Sequence, residues 1–444
     1  MCLTWLHLTA AELGRQIERG RINPVELVET FLDQGRRHPL TDRIYARMTA
    51  ARARAEAASA AARARAGLRR GPLDGVPLSW KDLFDSAGIA TEAGSTLLAG
   101  RIPTRDAEIL QNATLSGLVC LGKTHMSELA YSGLGLNSVT ETPPCLNDET
   151  AVAGGSSSGA AASVAFGLAP AAIASDTGGS GRIPAAWNDL IGLKTTQGRM
   201  PMRGTVPLCR RFDSAGPIAR SVEDCALVMA ALEGKPAPDL AGSGLGSAKF
   251  AVLETVALDR IDQRPALGFV DACTRLARAG ARVERLVAPE IAEASDLAPI
   301  LYDGEAYGVW RERIEASPGR ISPLILDRFR RGQDISAADY INAGQRLEEL
   351  RGVWAGTSAP YDAILMPTVP IMPPSIEQIS TDESYYDQQN HLALRNTSIV
   401  NLMGGCALTL RTSQPSCGIT LMAGPMQEER LLRLGMAADR ALGG

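Results

Sequence analysis

The chain has 444 residues, of which 45% are hydrophobic and 21% charged, and its formal net charge is −4 at pH 7. This is an ordinary globular composition, long enough for one large domain or two to three smaller ones. The near-neutral balance excludes a chain drawn to nucleic acid or to an anionic membrane by its overall charge.

The start, "MCLTWLHLTAAELGRQ", has no basic n-region and too short an apolar run for a signal peptide. No uncharged apolar stretch reaches the roughly 18 residues a transmembrane helix requires. Residues 8–38 read as two amphipathic helices broken at Gly20–Pro24. Leu8, Leu13 and Ile17 mark one apolar face, and Val25, Val28, Phe31 and Leu32 the next. "ARARAEAASAAARARAG" (51–67) is a strong helix former. Its arginines, Arg52, Arg54, Arg63 and Arg65, read as a solvated face and not a nucleic-acid patch, because no aromatic residue is interleaved.

"GVPLSWKDLF" (75–84) reads as a short strand and turn, residues 106–117 as a helix ending at Gly117, and "LVCLGKT" as the start of a buried strand. From Gly154 to Gly204 glycine becomes frequent and strands alternate with helices. Residues 221–234 form a helix with Ser221 as N-cap and Glu223 and Asp224 in its first turn. "KPAPDLAGSGLGSA" (235–248) is linker-like, either a domain boundary or a surface loop between core strands. A strand over 249–256, a helix and strand over 266–286, mostly helix over 303–356, and a strand running into a proline-rich segment over 361–376 follow. From Ile399 the chain reads as two strands and a closing helix. The alternation argues for α/β layering.

None of the eight cysteines (Cys2, Cys120, Cys145, Cys209, Cys225, Cys273, Cys406, Cys417) forms a C-x-x-C pair, so no zinc ribbon or thioredoxin-type site is encoded. Cys120, Cys225 and Cys273 lie in apolar runs and read as small core residues. A reducing cytoplasm is the compartment this usage suits.

Two glycine-rich strings invite a phosphate. "GLVCLGKT" (117–124) matches G-x-x-x-x-G-K-[ST], but Leu118, Val119, Cys120 and Leu121 favour a buried strand where a phosphate loop must wrap. "SDTGGSGRIPAA" (175–186) lacks both the P-loop lysine and the G-x-G-x-x-G spacing. Its glycines suit an approach of backbone to a carbonyl that Ser180 attacks.

A nucleophile needs a base. His7, His38, His125 and His391 are the only histidines; none sits in a glycine-rich turn, and all four read as structural, although a triad assembled from distant segments stays open. No G-x-S-x-G elbow is present. Lysine is scarce (Lys81, Lys123, Lys194, Lys235, Lys249), and Lys81 follows an apolar strand. Burial there would lower its pKa toward the neutral amine, which can take a proton from a serine. The alternative is a surface pair of Lys81 with Asp82 or Asp85. Ser156, Ser157 and Ser158 follow two glycines at a helix start, and Ser180 comes 24 positions after Ser156. Around Ser180 the N–H groups of Thr177, Gly178, Gly179 and Ser180 can form a nest for the oxyanion of a tetrahedral intermediate.

The run "AGGSSSGAAASVAFGLAPAAIASDTGGSGRIPAAWNDLIGLKTTQGR" (153–199) resembles the signature of the amidase signature hydrolases. "LDGVPLSWKDLFD" (73–85), "LGKTHMSELAYSGLGLN" (121–137), "DSAGPIARSVEDCALV" (213–228) and "YDAILMPTVP" (361–370) agree with it. The resemblance implies a Ser–cis-Ser–Lys triad: Ser180 as acylated nucleophile, Ser156 as bridging serine after a cis Gly155–Ser156 bond, and Lys81 as general base. Ser157, Asp176 and Arg182 match positions that support the loop. Gly181 departs from the family, where a larger residue is usual, as do Trp187 and Asn188, where Phe and Cys are frequent. Trp187 reads as core.

The expected fold is α/β: a single large amidase-signature-type domain over 1–444, with a central mixed twisted sheet covered by helices on both faces. Within it, 1–70 is an N-terminal helical segment, 72–232 the signature core, 235–248 a surface linker, and 249–444 the variable pocket part with the remaining core strands. The expected activity is cleavage of a small carboxamide to a carboxylate plus ammonia or amine through an acyl-enzyme on Ser180. The alternative is the glutaminase subunit of a tRNA-dependent amidotransferase. Substrate contacts are expected from Tyr131, Gly135, Tyr307 and Trp310, with Leu134, Tyr302, Arg395 and Asn396 as further candidates. No metal or cofactor is needed. Expected partners are a small amide and a second copy of the chain, with no nucleic acid and no membrane, in the cytoplasm.

Overall fold

The structure, a computed structural model, describes residues 3–444, so Cys2 lies outside the described residues. α1 (Ala10–Glu18) starts where the Thr9 side chain accepts from the Glu12 N–H, and α2 (Pro24–Arg37) starts with proline behind Asn23, which caps Val25. The break between them is the one the sequence predicts. The short α3 (Thr41–Ile44) runs into β1 (Tyr45–Met48).

α4 (Ala50–Arg65) buries Ala53, Ala57, Ala60 and Ala61. Arg54 and Arg65 are exposed as read, whereas Arg52 and Arg63 are half-buried; Arg52, Arg54 and Arg63 pair with Asp106, Glu29 and Asp74 at 2.7, 2.6 and 2.6 Å. Alanine on one face lets the helix sit close to its neighbours, which brings those carboxylates within reach.

The chain continues through β2 (Pro77–Lys81), α5 (Glu108–Leu115), β3 (Val119–Thr124), the hairpin β4 (Pro144–Cys145) and β5 (Asp148–Val152), α6 (Ser158–Ala165), β6 (Ala171–Asp176), α7 (Arg182–Trp187), β7 (Ile191–Lys194), β8 (Ser214–Ala219) and α8 (Val222–Glu233). Ser221 caps α8 by accepting from the Asp224 N–H, and Gly234 ends it at φ 66°. Next come β9 (Lys249–Leu253), α9 (Gln263–Arg278), β10 (Arg282–Leu286), α10 (Pro289–Ala316), α11 (Pro323–Arg330), α12 (Ala337–Ser358), β11 (Ala363–Pro367), α13 (Ile376–Thr381), α14 (Glu383–Leu402), β12 (Cys406–Arg411), β13 (Gly418–Ala423) and α15 (Glu428–Leu442).

Among the described residues, eleven strands form one mixed sheet in the order β1-β3-β2-β6-β8-β7-β12-β13-β11-β9-β10. α5, α8, α9 and α15 form a layer on one face, and α6, α7 and α14 pack against the other. Both faces being covered explains why β2, β3, β6, β7 and β8 are buried along their whole length. The α/β architecture with helices on both faces is therefore as expected. Residues 235–248 connect α8 to β9, and β9 joins the same sheet.

The phosphate-loop lookalike is β3. Lys123 is buried there, 3.2 Å from Asp82, and donates to Phe84 O and Thr91 Oγ1 at 2.7 and 3.0 Å. Two readings need correction. Ile399 does not begin a strand but lies in α14; Thr397, Ile399 and Val400 are β-branched, yet Asn396, Thr397 and Asn401 beside them bond into the core and hold the helix. Cys120 and Cys225 are buried as read, whereas Cys273 is only half-buried on α9. Among the described residues, no helix is long and apolar enough to cross a membrane.

What positions the site is one pair of strands. β2 and β6 are parallel neighbours, with Ser79 opposite Ala172 and Trp80 opposite Ile173. Their carboxyl ends, Lys81 on one and Ser175–Asp176 on the other, therefore emerge side by side, where open α/β sheets place their ligands. α6 packs against both strands and brings its N-terminal serines to the same edge.

Candidate active site

Lys81 ends β2 and is fully buried. Its Nζ lies 2.7 Å from Ser156 Oγ and 2.7 Å from Ser175 Oγ. Among the described residues it has no ion-pair partner; Asp82 pairs with Arg47 at 2.7 Å and Asp85 with Arg101 at 2.6 Å, so the surface-pair alternative does not hold. Burial lowers its pKa to about 7, against the opposing pull of Asp176 and Asp213.

Ser156 follows Gly154 and Gly155 in a tight turn, and the Gly155–Ser156 bond is cis. The turn is packed on the run from Ser127 to Gly135. Gly155 donates to Gly133 O at 2.8 Å, and Ser127 N–H donates to Ser156 O at 3.1 Å. A Cβ on Gly155 would sit 2.5 Å from Gly135 N and 2.6 Å from Ser127 Oγ, so the close approach requires glycine. Ser157 ties this turn to the next: its N–H donates to Ser180 O and its hydroxyl to Ser175 O, each at 3.2 Å.

Ser180 is 4% exposed at the end of the loop after β6. Asp176 braces that loop, accepting from Gly179 N–H at 2.9 Å, Gly181 N–H at 3.2 Å, Arg182 Nε and Nη2 at 2.9 Å each, and Asn401 Nδ2 at 3.1 Å. Burial alone would raise the Asp176 carboxyl, but the charge and hydrogen bonds of Arg182, with Lys194 and Asn401, hold it at about 2. Arg182 is itself fully buried and also donates to Thr397 O and Asn401 Oδ1.

The loop carbonyls are taken up from behind. Tyr302 Oη donates to Thr177 O at 3.0 Å, and Thr397 Oγ1 and Ser398 Oγ donate to Gly178 O at 2.7 and 3.1 Å. Gly179 has φ 137°, and a Cβ there would overlap Thr397 Oγ1. The Thr177 hydroxyl donates to Asp213 at 2.6 Å, whose carboxyl burial pushes up to about 6. Among the described residues, the N–H groups of Thr177, Gly178 and Ser180 meet no acceptor. The fourth member of the expected nest is corrected: the Gly179 N–H is already given to Asp176.

The substrate-pocket expectations divide. Tyr131 is buried beside the Ser132–Gly135 run, with its hydroxyl on Asp303. Gly135, at φ 92°, faces Gly154 O in the packing under Ser156. Tyr307 is corrected, since its hydroxyl points outward to Glu315 at 3.5 Å on an exposed stretch of α10. Trp310 is corrected as well: it is core, 3% exposed, with Nε1 donating to Pro207 O. Asn396 is fully occupied by Ala257 O and Pro367 O. Trp187 is core as read, donating to Ile371 O, and Asn188 holds Ala153 O and Pro184 O. Leu394 was missed: positions for a Cβ on Gly133 and on Gly178 both meet it, at 2.8 and 3.6 Å. Ser175, Asp213, Thr397, Ser398 and Asn401 were also missed. Only Ser175 carried a signal, standing beside Asp176 in the same short run.

A cavity of about 780 Å³, lined by residues including Arg211, Arg351, Trp354 and Tyr361, contains none of Lys81, Ser156 or Ser180. A smaller one of about 270 Å³ reaches Asp213 between Met200, Met202 and Pro207. Its lining also contains none of Lys81, Ser156 or Ser180.

Comparison with known proteins bears on this geometry. The family model for Amidase matches residues 26–432. The chain is 34% identical to 2-amino-5-chloromuconic acid deaminase of Comamonas testosteroni over 98% of this chain and 96% of the relative. It is 30% identical to a Glutamyl-tRNA(Gln) amidotransferase subunit of Anaeromyxobacter dehalogenans (strain 2CP-C), over 97% and 96%. A solved amidase structure superposes with a TM-score of 0.88 at 28% identity, covering 98% of this chain and 100% of that one. Fold and relatives together define a hydrolase acting on carbon–nitrogen bonds. The chain belongs to the amidase signature family.

Proposed function

We propose that the protein is a serine amidohydrolase that converts a small carboxamide to a carboxylate and ammonia or amine through an acyl-enzyme on Ser180. The observation that carries this reading is a buried lysine, with its pKa lowered to about 7, 2.7 Å from Ser156 Oγ. In the neutral form Lys81 accepts the Ser156 proton, Ser156 accepts that of Ser180, and Ser180 Oγ bonds to the amide carbon. The carbonyl oxygen becomes an oxyanion facing the N–H groups of Thr177, Gly178 and Ser180. The relay then runs backward and protonates the nitrogen, the C–N bond breaks, and the amine leaves. Water attacks the ester by the same relay and releases the carboxylate and Ser180.

A panel of small amides, ureas and carbamates assayed for ammonia or amine release tests this. Wild type is expected to turn over members of the panel and Ser180→Ala none; a Ser180→Ala enzyme at full rate overturns the reading. The second reading, a glutaminase subunit of a tRNA-dependent amidotransferase, draws on the amidotransferase relative. It requires ammonia release from glutamine that depends on partner proteins.

A further inference from the structure

We infer that Ser214 is a positioning residue for the reaction: its hydroxyl holds the Asp176–Thr177 peptide so that the Thr177 N–H faces the developing oxyanion. This deepens the amidohydrolase reading above and rests on it. Ser214 is the first residue of β8, is 2% exposed, and stands opposite Asp176, the last residue of β6. Its Oγ donates to Asp176 O at 2.7 Å. A trans peptide is planar, and its C=O and N–H point in opposite directions. Fixing Asp176 O therefore fixes the line along which the Thr177 N–H points.

The preceding residue grips Thr177 by its side chain. Thr177 Oγ1 donates to Asp213 Oδ1 at 2.6 Å. That carboxylate is itself held, accepting from the Cys209 N–H at 3.2 Å and the Leu208 N–H at 3.1 Å. The start of β8 thus holds the residue at both ends, the carbonyl before it and the hydroxyl on it. Asn401 Nδ2 also reaches Asp176 O, at a long 3.4 Å. Without the Ser214 hydroxyl, the side-chain hold on that carbonyl is reduced to this long contact.

The other N–H groups of the loop that meet no acceptor among the described residues sit in peptides built the same way. In the Thr177–Gly178 peptide the carbonyl accepts from Tyr302 Oη at 3.0 Å. In the Gly179–Ser180 peptide it accepts from the Arg182 and Ile183 N–H groups at 2.9 Å each. A donor on the carbonyl polarises the peptide and strengthens its N–H as a donor in turn. Ser214 therefore acts twice on the Thr177 N–H, by aiming it and by raising its positive charge. A donor fixed before the substrate arrives costs no reorganisation when charge develops on the carbonyl oxygen. The gain comes as the amide becomes an oxyanion, so it belongs to kcat and not to KM.

The test uses the amide that wild type turns over fastest and a boronic acid bearing the same acyl substituent. Addition of Ser180 Oγ to the boron gives a tetrahedral adduct with an oxygen facing the same N–H groups. Loss of one oxyanion donor costs about 100- to 1000-fold in kcat, and a donor that is present but badly aimed should cost less, about tenfold. Ser214→Ala is therefore expected to lower kcat about tenfold with KM unchanged, and to weaken boronate inhibition by a similar factor. Ser214→Thr, which keeps the hydroxyl, should recover most of both. Four results overturn the inference while leaving the amidohydrolase reading standing: unchanged kcat and boronate affinity in Ser214→Ala, a loss confined to KM, a Ser214→Thr enzyme as impaired as Ser214→Ala, or a Ser214→Ala chain that fails to fold by thermal melting. Absence of turnover by wild type on every amide, with no labelling of Ser180 by a fluorophosphonate, overturns both.

Discussion

Lys81 Nζ lies 2.7 Å from Ser156 Oγ, at the buried end of a strand where, among the described residues, no carboxylate pairs with it. Burial brings its pKa to about 7, so the free base is present at neutral pH. Because the relay requires that base, kcat/KM for a neutral amide should rise about tenfold per pH unit below 7 and level off above it. A profile flat from pH 5 to 8 would contradict the role given to Lys81.

The same burial links Lys81 to stability. Its pKa falls from 10.5 unfolded to about 7 folded, so between those values the unfolded chain binds the extra proton. Stability from this group therefore increases with pH across that window and is absent below it. Denaturant unfolding of wild type and Lys81→Met should show wild type gaining on the variant by about 1.4 kcal/mol per pH unit between pH 7.5 and 9.5. A constant difference would mean that the lysine stays charged in the folded protein.

Asp176 and Arg182 form a buried pair at 2.9 Å under the loop that ends in Ser180. Asp176→Asn leaves the guanidinium without its counter-ion and should destabilise the protein by about 3–5 kcal/mol in urea unfolding. With its carboxyl held at about 2 in the folded state, Asp176 stabilises the fold above its ordinary value of 3.8. That contribution is lost as pH falls through about 2.

The two glycines flanking Ser180 should respond in opposite ways. Gly179, at φ 137°, backs onto Thr397, and Gly179→Ala should lose stability and nearly all activity. A Cβ on Gly181 meets only ordinary contacts at 3.6–3.8 Å, and its φ is −95°. Gly181→Ala should therefore be folded, active, and more stable by about 0.4–1 kcal/mol, through the unfolded chain's lost freedom. Thermal melts and the amide assay read both.

Much of this was legible because it is local. The caps at Thr9, Asn23 and Ser221, the apolar run of β3, and the glycine–serine turns at 154–158 and 177–181 are set by neighbours in sequence. Joining Ser180, Ser156 and Lys81 into one site needed the family resemblance, since spacing alone left Lys81 open to a surface pair. What stayed hidden depends on distant partners. Thr397, Ser398 and Asn401 reach the loop from about 220 residues away, on a helix whose β-branched residues read as a strand. Tyr307 and Trp310 looked alike as aromatic pocket candidates, and only the docking of α10 turns one outward and the other into the core.

The central claim is that Ser180 is the nucleophile that Lys81 activates through Ser156. Its most direct test is reaction of the intact protein with a serine-directed fluorophosphonate, followed by peptide mass mapping. One adduct on Ser180 is predicted, absent in Ser180→Ala and strongly slowed in Lys81→Met. An adduct on another residue, or one that persists in Ser180→Ala, would contradict the account.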